Sequence, residues 1–309
     1  MMVRIRAFEE AAGRAQHDGH VTGAIHQSIG QEAIPTGVCA NLGPADMIVS
    51  NHRGHGHTLA KGADAGAMMR ELFGKAGGTC GGKGGSMHIA DFAIGMLGAN
   101  GVVAAGIPIA VGAAHATRIR GGREIVVCFF GDGAINRGPF LEGLNWAAVY
   151  SLPVLFVCED NGYAAMTDTA EVSAGLGPGA RAESLGVAAR KIDGNDVVVV
   201  DDAARELIGQ VRSQGEPRLL WAKTYRLAGH TTVDPDGYRR AEDIAAHRER
   251  EPIGRCRVLL SRLGLADRDL DRIAVEARQE MNRAVADGIA APWPDAAQAY
   301  SDVQDIGAP

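Results

Sequence analysis

Two uninterrupted apolar runs dominate the hydrophobic pattern of this chain. The first covers residues 125–130 and the second covers residues 154–158, and between them apolar residues recur at helical spacing over 140–150. Runs without alternation are typical of strands that are buried on both faces of a sheet. Two such strands joined by a helix form a right-handed parallel crossover. The pattern therefore predicts an α/β fold, a parallel sheet with helices on both faces.

The same pattern predicts elements on both sides of this unit. We expect further strands at 47–50, 187–192 and 218–224, and helices at 5–15, 32–39, 107–118, 197–212, 241–249, 252–263 and 267–288. Two glycine-rich stretches are predicted as loops, a mobile one at 74–86 and one over the site at 167–179. The last helix should bury an apolar stripe that includes Ile273, Val275 and Met281. We predict one domain over residues 1–309, with a helical C-terminal extension over about 241–309.

The composition excludes several classes of protein. The chain has 309 residues and a formal net charge of -6 at pH 7 without a basic stripe, so we do not expect nucleic acid as a partner. No apolar stretch is long enough to span a bilayer, and residues 1–10 do not resemble a signal peptide. The five cysteines show no paired spacing, and Cys128 and Cys158 fall inside predicted core strands. These features predict a reduced, cytoplasmic protein.

Polar residues follow both central strands at their carboxyl ends. Asp132 comes directly after the first strand, within Gly131-Asp132-Gly133, and Asn161 follows the second strand. Parallel pairing brings both side chains to the edge of the sheet where ligands bind in open parallel sheets. Carboxylate and amide oxygens suit Mg²⁺, which usually shares phosphate oxygens, and the two glycines let the backbone approach phosphates closely. The sequence therefore predicts a site for a metal-bound diphosphate.

This Gly-Asp-Gly, with an asparagine 29 positions after its aspartate, resembles the diphosphate-anchoring motif of thiamin-diphosphate enzymes. A lone Gly-Asp-Gly is common in turns, but here both halves follow apolar strands, as the motif requires. The resemblance implies that Mg²⁺ is held by Asp132, Asn161 and the main-chain oxygen of Tyr163. It also places the cofactor beside the backbone of Gly131, Gly133 and Ala134.

Further segments resemble the alpha subunits of 2-oxo-acid dehydrogenases and acetoin dehydrogenase. They lie at 24–33, 51–57, 84–88, 98–104 and 224–235, so the resemblance spans about residues 5–240. It implies that Arg53 and Arg226 contact the diphosphate, and the bidentate fork of a guanidinium suits that role. It also implies that backbone atoms of Gly101 and Val103 meet the aminopyrimidine ring of the cofactor.

The resemblance places three histidines at the cofactor. His26 matches a histidine that faces the cofactor, although capping or packing near the start of the next helix is the alternative. His230 matches a residue at the reacting centre, and His52 stands where the family often has a tyrosine before the arginine. We predict His26 and His230 as catalytic residues. His52, His55 and His57 also suggest a metal site, but no cysteine or carboxylate cluster accompanies them, as zinc sites normally require.

The resemblance also implies a reaction and partners. Such enzymes cleave a carbon–carbon bond next to the carbonyl of a small substrate, with thiamin diphosphate and Mg²⁺, and pass the acyl group to a lipoyl acyltransferase. The organic chemistry belongs to the cofactor. They need a carboxyl group that hydrogen-bonds the pyrimidine ring, and no segment here resembles the half that carries it. Because the beta subunit provides this half in the family, we predict an α2β2 heterotetramer.

Three alternatives to an acetoin or 2-oxo-acid dehydrogenase stay open in the sequence. The pair of subunits could be a carboligase or transketolase-like transferase that works without a lipoyl complex. The chain could be a degenerate binding protein, although the intact Asp132, Asn161 and Arg53 argue against this. A dinucleotide-binding oxidoreductase is weaker, because no strand is followed by Gly-x-Gly-x-x-Gly opening a helix. Overall similarity favours acetoin over pyruvate as the substrate.

Overall fold

The structure, a computed structural model, describes residues 1–301. In chain order its strands are β1 (Met47–Val49), β2 (Met96–Gly98), β3 (Val126–Gly131), β4 (Val154–Asp160), β5 (Tyr163–Ala164), β6 (Thr167–Asp168), β7 (Ala188–Asp193) and β8 (Arg218–Lys223). Its α-helices are α1 (Met2–His17), α2 (Ala33–Cys39), α3 (His55–Lys61), α4 (Ala65–Leu72), α5 (Gly106–Arg120), α6 (Gly138–Val149), α7 (Thr169–Val172), α8 (Pro178–Glu183), α9 (Val197–Gln214), α10 (Ala241–Arg248), α11 (Pro252–Arg262) and α12 (Asp267–Ala290). Short 3-10 helices cover Phe92–Ile94, Asp132–Asn136 and Ala296–Tyr300.

In the described part of the chain, six of these strands form one sheet in the order β2-β1-β3-β4-β8-β7. Every neighbouring pair in this sheet is parallel. β3 and β4 lie side by side at its centre, with Phe129 opposite Val157. The predicted parallel α/β sheet is confirmed, and the carboxyl ends of its two central strands meet at one edge.

Alternate residues of the central strands face two apolar layers, one on each side of the sheet. On one side, Val127, Phe129 and Val157 pack with residues of α1, α2, α4, α9 and α12. On the other side, Cys128 and Phe156 pack with residues of α5, α6 and α8. This burial on both faces explains the uninterrupted apolar runs, because neither face of β3 or β4 is available to polar side chains.

The C-terminal helices pack against the rest of the chain. α12 contacts α1 and α4, and its Ala277 and Met281 belong to the apolar layer that covers the sheet. The predicted stripe is only partly correct, because Ile273 and Val275 are 44% and 41% exposed. Positions 302–309 of the predicted extension lie outside the described residues. Within residues 1–301, no helix pairs the length of a membrane span with the apolar character it would need.

The prediction of a loop over residues 167–179 is wrong. β6 pairs antiparallel with β5, and α7 begins directly after β6. The Asp168 carboxylate caps α7 by accepting a hydrogen bond from the Ala170 amide at 2.8 Å. The segment contacts the 3-10 helix after β3, where the Asn136 side-chain amide donates to the Val172 carbonyl at 3.2 Å. None of residues 167–179 lines the cavity described below. Two-residue strands and a one-turn helix are too short to show a period in the sequence.

The glycine-rich stretch 74–86, which the structure describes in full, is held by one buried carboxylate. Glu71 on α4 is fully buried and accepts hydrogen bonds from the amides of Cys80 (2.8 Å), Gly82 (2.8 Å), Gly84 (2.7 Å) and Gly85 (3.1 Å). The predicted loop is present, but this anchoring argues against the mobility that its composition suggested. The chain runs from it directly to Met87 in the cavity wall.

Replacing Glu71 by leucine should lower the free energy of unfolding by about 3 kcal/mol or more. Four amide groups would lose their acceptor, and each buried group left unpaired costs about 1–3 kcal/mol. Glu71→Gln keeps one acceptor oxygen and should give an intermediate loss in urea denaturation. As a control, leucine at the exposed Glu142 of α6 should change stability by less than about 0.5 kcal/mol. Equal losses in E71L and E142L would show that the loop does not depend on this carboxylate.

Candidate functional site

A cavity of about 480 Å³ lies at the carboxyl edge of β3 and β4. Its walls come from the segment before α2, the turn after β1, the segment before α5, the ends of the two central strands and the loop after β8. Every residue that the sequence placed at the site lines this cavity: His26, His52, Arg53, Gly101, Val103, Gly131, Asp132, Gly133, Ala134, Asn161, Tyr163, Arg226 and His230. The fold therefore brings the predicted residues together, and their individual roles remain predictions.

The two side chains predicted as metal ligands, those of Asp132 and Asn161, both bond to the backbone of residues 161–163. The amide of Gly162 donates to Asp132 Oδ2 at 3.0 Å. The preceding Asn161 accepts at Oδ1 from the Tyr163 amide at 3.0 Å, and its side-chain amide donates to Gln31 Oε1 at 3.0 Å. Each side-chain oxygen has lone pairs beyond those used here. Both residues thus present oxygen ligands at the same wall of the cavity.

The Asp132 carboxylate is buried and forms no ion pair within residues 1–301. Burial and then the neighbouring Asp160 raise the pKa of Asp132 well above its ordinary value. Lys223 already balances the charge of Asp160, because its Nζ donates to the Asp160 carboxylate at 2.9 Å, and Trp221 Nε1 donates to the same carboxylate at 2.6 Å. A buried carboxylate without a cationic partner is unstable in its charged form. The position therefore favours a bound cation.

Two guanidinium groups face the same cavity without a carboxylate partner in the described part of the chain. Arg53 and Arg226 are 4% and 1% exposed. Arg53 Nη1 donates to the Gln27 carbonyl at 2.5 Å, and Arg226 Nη2 donates to the Tyr238 hydroxyl at 2.6 Å. Burial and then repulsion from Arg226 lower the pKa of Arg53 to about 9, which leaves it charged at neutral pH. Two buried positive charges with uncharged partners require an anion, and guanidinium groups suit phosphate oxygens.

His230 lies between these guanidinium groups, which determine its tautomer. Arg53 Nη2 and Arg226 Nη1 lie 3.4 Å and 3.3 Å from His230 Nδ1. Because a guanidinium nitrogen can only donate, Nδ1 must be the acceptor, and the proton of the neutral ring is on Nε2. Burial and then Arg53 lower the pKa of His230 to about 4, so the ring is neutral near pH 7.

His26 and His52 form a group of three imidazoles with His230. The ring centroids lie 4.7 Å apart for His26 and His52, 4.9 Å for His26 and His230, and 5.8 Å for His52 and His230. Burial and then Arg53 lower the pKa of His26 to about 3 and that of His52 to about 2. One nitrogen from each ring lies within 4.8 Å of the others, a spacing compatible with a metal ion. The adjacent guanidinium groups oppose a second cation there, so we interpret the group as hydrogen-bonding partners of a ligand.

Two alanines in the cavity wall have left-handed backbone conformations. The φ angle is 71° at Ala104 and 54° at Ala165. Such a conformation costs a residue with a Cβ atom about 1–2 kcal/mol, and it persists where the surrounding structure imposes it. The Ala165 carbonyl accepts from Arg226 Nη2 at 3.3 Å, so this turn helps to hold the guanidinium group in the wall.

Replacing Ala104 by glycine should leave stability unchanged or raise it by up to about 1 kcal/mol. Glycine adopts positive φ without strain, which offsets its greater freedom in the unfolded chain. The matched control is Ala110→Gly in the buried interior of α5, which should lose about 1 kcal/mol or more. Both values come from chemical denaturation. A loss in A104G as large as that in A110G would contradict the strain at this position.

The cavity also contains polar residues that the sequence analysis did not select. They are Gln31, Asn51, Arg137 and Glu159. Gln31 positions Asn161 through the bond described above, and its signal was its place in the segment 24–33 that carries the resemblance. Glu159 directly follows the second apolar run, which was the available signal.

His55 and His57 are directed away from the histidine group. His55 bonds Glu9 at 2.9 Å and Ser86 at 2.9 Å, while His57 bonds Ser50 at 2.8 Å and Glu159 at 3.2 Å. Each ring nitrogen therefore has a partner inside the protein. His55 and His57 therefore do not join His52 in a common group.

The fold and the cavity belong to a known class: the chain is a member of the Dehydrogenase E1 component family, whose model matches residues 1–297. It is 43% identical over 98% of its length to the alpha subunit of acetoin:2,6-dichlorophenolindophenol oxidoreductase of Cupriavidus necator, covering 91% of that protein. It is 41% identical to the subunit of the same name from Bacillus subtilis, with the same coverage of both chains. It is 37% identical over 98% of its length to the pyruvate dehydrogenase E1 component subunit alpha of Rhizobium meliloti, covering 87% of that protein.

Family membership confirms the resemblance to alpha subunits of acetoin and pyruvate dehydrogenases. It makes the chain an E1-type dehydrogenase component that depends on thiamin diphosphate. It favours this reading over a carboligase that works without a lipoyl complex.

Proposed function

We propose that this chain is the alpha subunit of an enzyme that cleaves acetoin next to its carbonyl group, with thiamin diphosphate and Mg²⁺. The acyl group would pass to the lipoyl arm of a separate acyltransferase. One observation carries the proposal: Asp132 and Asn161 share a cavity with the guanidinium groups of Arg53 and Arg226, which have no acidic partner in residues 1–301. A metal diphosphate requires a cation site beside an anion site, and these residues are suited to both.

The donor set fits this cofactor. Asp132, the side-chain oxygen of Asn161 and the main-chain oxygen of Tyr163 would hold Mg²⁺, which prefers oxygen ligands. Arg53 and Arg226 would hold the diphosphate. The remaining contacts would come from the backbone of Gly131, Gly133, Ala134, Gly101 and Val103, and from the ring of His52.

Bound thiamin diphosphate supplies a nucleophilic carbon for attack on a carbonyl group. The chain contributes proton donors and acceptors around that centre. His230 would present its Nε2 proton, because both guanidinium groups hold its Nδ1 as an acceptor. His26 Nδ1 is buried and has no hydrogen-bond partner among the described residues, so it is available to a ligand. We assign His26 and His230 as the catalytic residues.

The substrate and the partner subunit are inferred from the relatives. The acetoin relatives are 43% and 41% identical to the chain, against 37% for the pyruvate dehydrogenase relative from Rhizobium meliloti, which favours acetoin. These relatives are named as alpha subunits, and we expect an α2β2 assembly whose beta subunit brings the carboxyl group for the pyrimidine ring. We place this assembly in the cytoplasm and treat residues 1–309 as one domain.

The test is to produce the chain with a beta subunit from the same organism and to measure turnover of acetoin, pyruvate and a branched 2-oxo acid. With 2,6-dichlorophenolindophenol as the electron acceptor, we expect acetoin to react fastest, and only with thiamin diphosphate and Mg²⁺ present. Reductive acylation of the lipoyl acyltransferase tests the acyl acceptor. Turnover by the chain alone would contradict the need for a beta subunit, and a preference for pyruvate would overturn the substrate.

A further inference from the structure

A fully buried carboxylate on the first helix, outside the cavity, holds the segment that carries His26. Glu9 of α1 is 0% exposed and does not line the cavity. Its Oε1 accepts from the amide of Ser28 at 3.0 Å and from the hydroxyl of Ser28 at 2.8 Å. Its main-chain carbonyl accepts from the Gln27 side-chain amide at 2.6 Å. Three hydrogen bonds therefore fix residues 27 and 28 to α1.

The other carboxylate oxygen of Glu9 reaches a second segment of the cavity wall through two side chains. His55 Nδ1 donates to Glu9 Oε2 at 2.9 Å, and His55 Nε2 lies 2.9 Å from the hydroxyl oxygen of Ser86. Burial raises the pKa of Glu9, but His55 and the donors of Ser28 outweigh it and hold the pKa below its ordinary value. Because an ionised carboxylate only accepts, Glu9 fixes a proton of His55 on Nδ1, and in the neutral ring Nε2 accepts from Ser86. Ser86 directly precedes Met87, which lines the cavity.

The segment held by α1 in turn supports charged and polar groups of the cavity. The Gln27 carbonyl accepts from Arg53 Nη1 at 2.5 Å. Two backbone hydrogen bonds, of 2.9 Å and 2.8 Å, join residues 25–29 to the loop 227–232, which carries His230. The positions of both side chains therefore depend on how α1 holds this segment.

We infer that Glu9 is a positioning residue: its carboxylate fixes residues 27 and 28, and through them the guanidinium group of Arg53. The inference rests on the proposed function, which assigns the diphosphate to Arg53. In metal sites, replacing the residues that orient the ligands costs about 10–100-fold in affinity or activity, and we expect an effect of this order here. A carboxylate with only a structural role would instead lower the stability of the chain and leave the affinity of the folded enzyme unchanged.

The test is isothermal titration of the assembled enzyme with thiamin diphosphate in the presence of Mg²⁺, at a temperature at which each variant is folded. In Glu9→Leu the donors of Ser28 and His55 lose their acceptor, and the dissociation constant should rise about tenfold. Glu9→Gln keeps Oε1 for Ser28 and can donate to His55 Nδ1 once the ring proton moves to Nε2. Its dissociation constant should therefore stay close to that of the wild type. Should E9L not fold, Ser28→Ala removes one of the two donors to Oε1 and should raise the dissociation constant in the same direction.

A double-mutant cycle shows whether Glu9 acts through Arg53. In the background of Arg53→Met, adding Glu9→Leu should change the dissociation constant by less than about twofold, because the group that Glu9 positions is already absent. A further tenfold loss in the double variant would contradict the inference, since the two residues would then act independently.

Asp46→Leu is the matched control for a buried carboxylate. Asp46 is 1% exposed and accepts from two backbone amides and from Arg212, at the amino end of β1 and thus opposite the cavity. D46L should unfold more easily in urea but bind thiamin diphosphate with the affinity of the wild type. Hydrogen exchange of the cofactor-free chain, followed by mass spectrometry, should become faster at residues 24–33 in E9L and stay unchanged there in D46L.

The outcomes separate this inference from the proposed function. If the assembled wild-type enzyme does not bind thiamin diphosphate, the proposed function fails. If the wild type binds it but E9L and D46L lose affinity equally, or E9L loses none, Glu9 has only a structural role and the inference fails. An E9Q enzyme as weak as E9L would also overturn it, because the hydrogen bonds to Ser28 would then not be what matters. Unchanged affinity in S28A would contradict it in the same way.

Discussion

Replacing Asp132 by asparagine should lower turnover of the assembled enzyme by about 100-fold or more. Loss of residues that only support metal ligands already costs about 10–100-fold, and Asp132 is proposed as a ligand itself. Asparagine has nearly the same shape and keeps an oxygen that can accept from the Gly162 amide. The substitution therefore removes the negative charge that Mg²⁺ would require. It keeps one of the two oxygens that accept from the amides of Gly162 and Gly133.

The same substitution should not destabilise the chain without cofactor. Burial and Asp160 disfavour a charge at position 132 when no cation is present, and asparagine removes that charge. We expect the melting temperature of the cofactor-free chain to stay equal or to rise. The increase that Mg²⁺ and thiamin diphosphate give to the wild-type enzyme, by binding the folded state, should disappear.

Asp168→Asn is the matched control for this experiment. Asp168 caps α7 from an exposed position outside the cavity, and asparagine caps helices about as well as aspartate. Activity and the thermal shift with cofactor should both survive in this variant. A D132N enzyme that still gained stability from Mg²⁺ with thiamin diphosphate would exclude Asp132 as the metal ligand.

The sequence predicted the centre of this fold because the physical signal there is local. β3 and β4 are buried on both faces, so each appears as an unbroken apolar run, and parallel pairing brings Asp132 and Asn161 to one edge without further information. Long helices such as α9 and α12 were equally visible through their apolar period. The elements that form the core of the fold can thus be predicted because their burial produces a hydrophobic pattern among residues close in the sequence.

The parts that the sequence did not predict depend on contacts between distant residues. Glu71 lies on α4, and the apolar period of a helix does not indicate that this carboxylate accepts hydrogen bonds from the loop at 74–86. The hairpin and short helices at 163–183 are stabilised by their contact with the 3-10 helix after β3, as the hydrogen bond from Asn136 illustrates. Gln31 reaches Asn161 across 130 positions. The family resemblance located the site residues, but the unpaired charges of Arg53 and Arg226 became visible only when their neighbours were known.

Replacing Arg53 by methionine should weaken binding of thiamin diphosphate by the assembled enzyme about 100-fold. Hydrogen bonds to charged groups contribute about 1.5–3 kcal/mol each, and the guanidinium group of Arg53 can offer two to the diphosphate. Arg53→Lys keeps the charge but loses the planar fork, so its affinity for thiamin diphosphate should lie between those of the wild type and R53M. Methionine at the exposed Arg123 is the control, and should leave the affinity unchanged. Isothermal titration of cofactor in the presence of Mg²⁺ measures all four proteins.

Arg53→Met should also change the titration of the histidine group. After burial, Arg53 is the largest influence that lowers the pKa of His26, His52 and His230. Removing its charge should raise all three pKa values, although burial should keep them below the ordinary value of 6.5. Histidine ring proton shifts in the cofactor-free chain, followed by NMR against pH, measure this directly. R53K should titrate like the wild type, since its charge is retained.

The direction of the resulting pH dependence follows from these shifts. In the folded chain the pKa values of His26, His52 and His230 are about 3, 2 and 4, whereas the unfolded chain protonates near 6.5. Below pH 6.5 the unfolded state therefore binds more protons, and the stability of the cofactor-free chain should fall as the pH decreases towards 4. Because R53M raises the folded-state pKa values, its stability should fall less steeply over this range than that of wild type or R123M. Urea denaturation at several pH values from 7 to 5 gives the free energy of unfolding of each protein. If this free energy fell equally in R53M and in the wild type, the charge of Arg53 would not act on these rings.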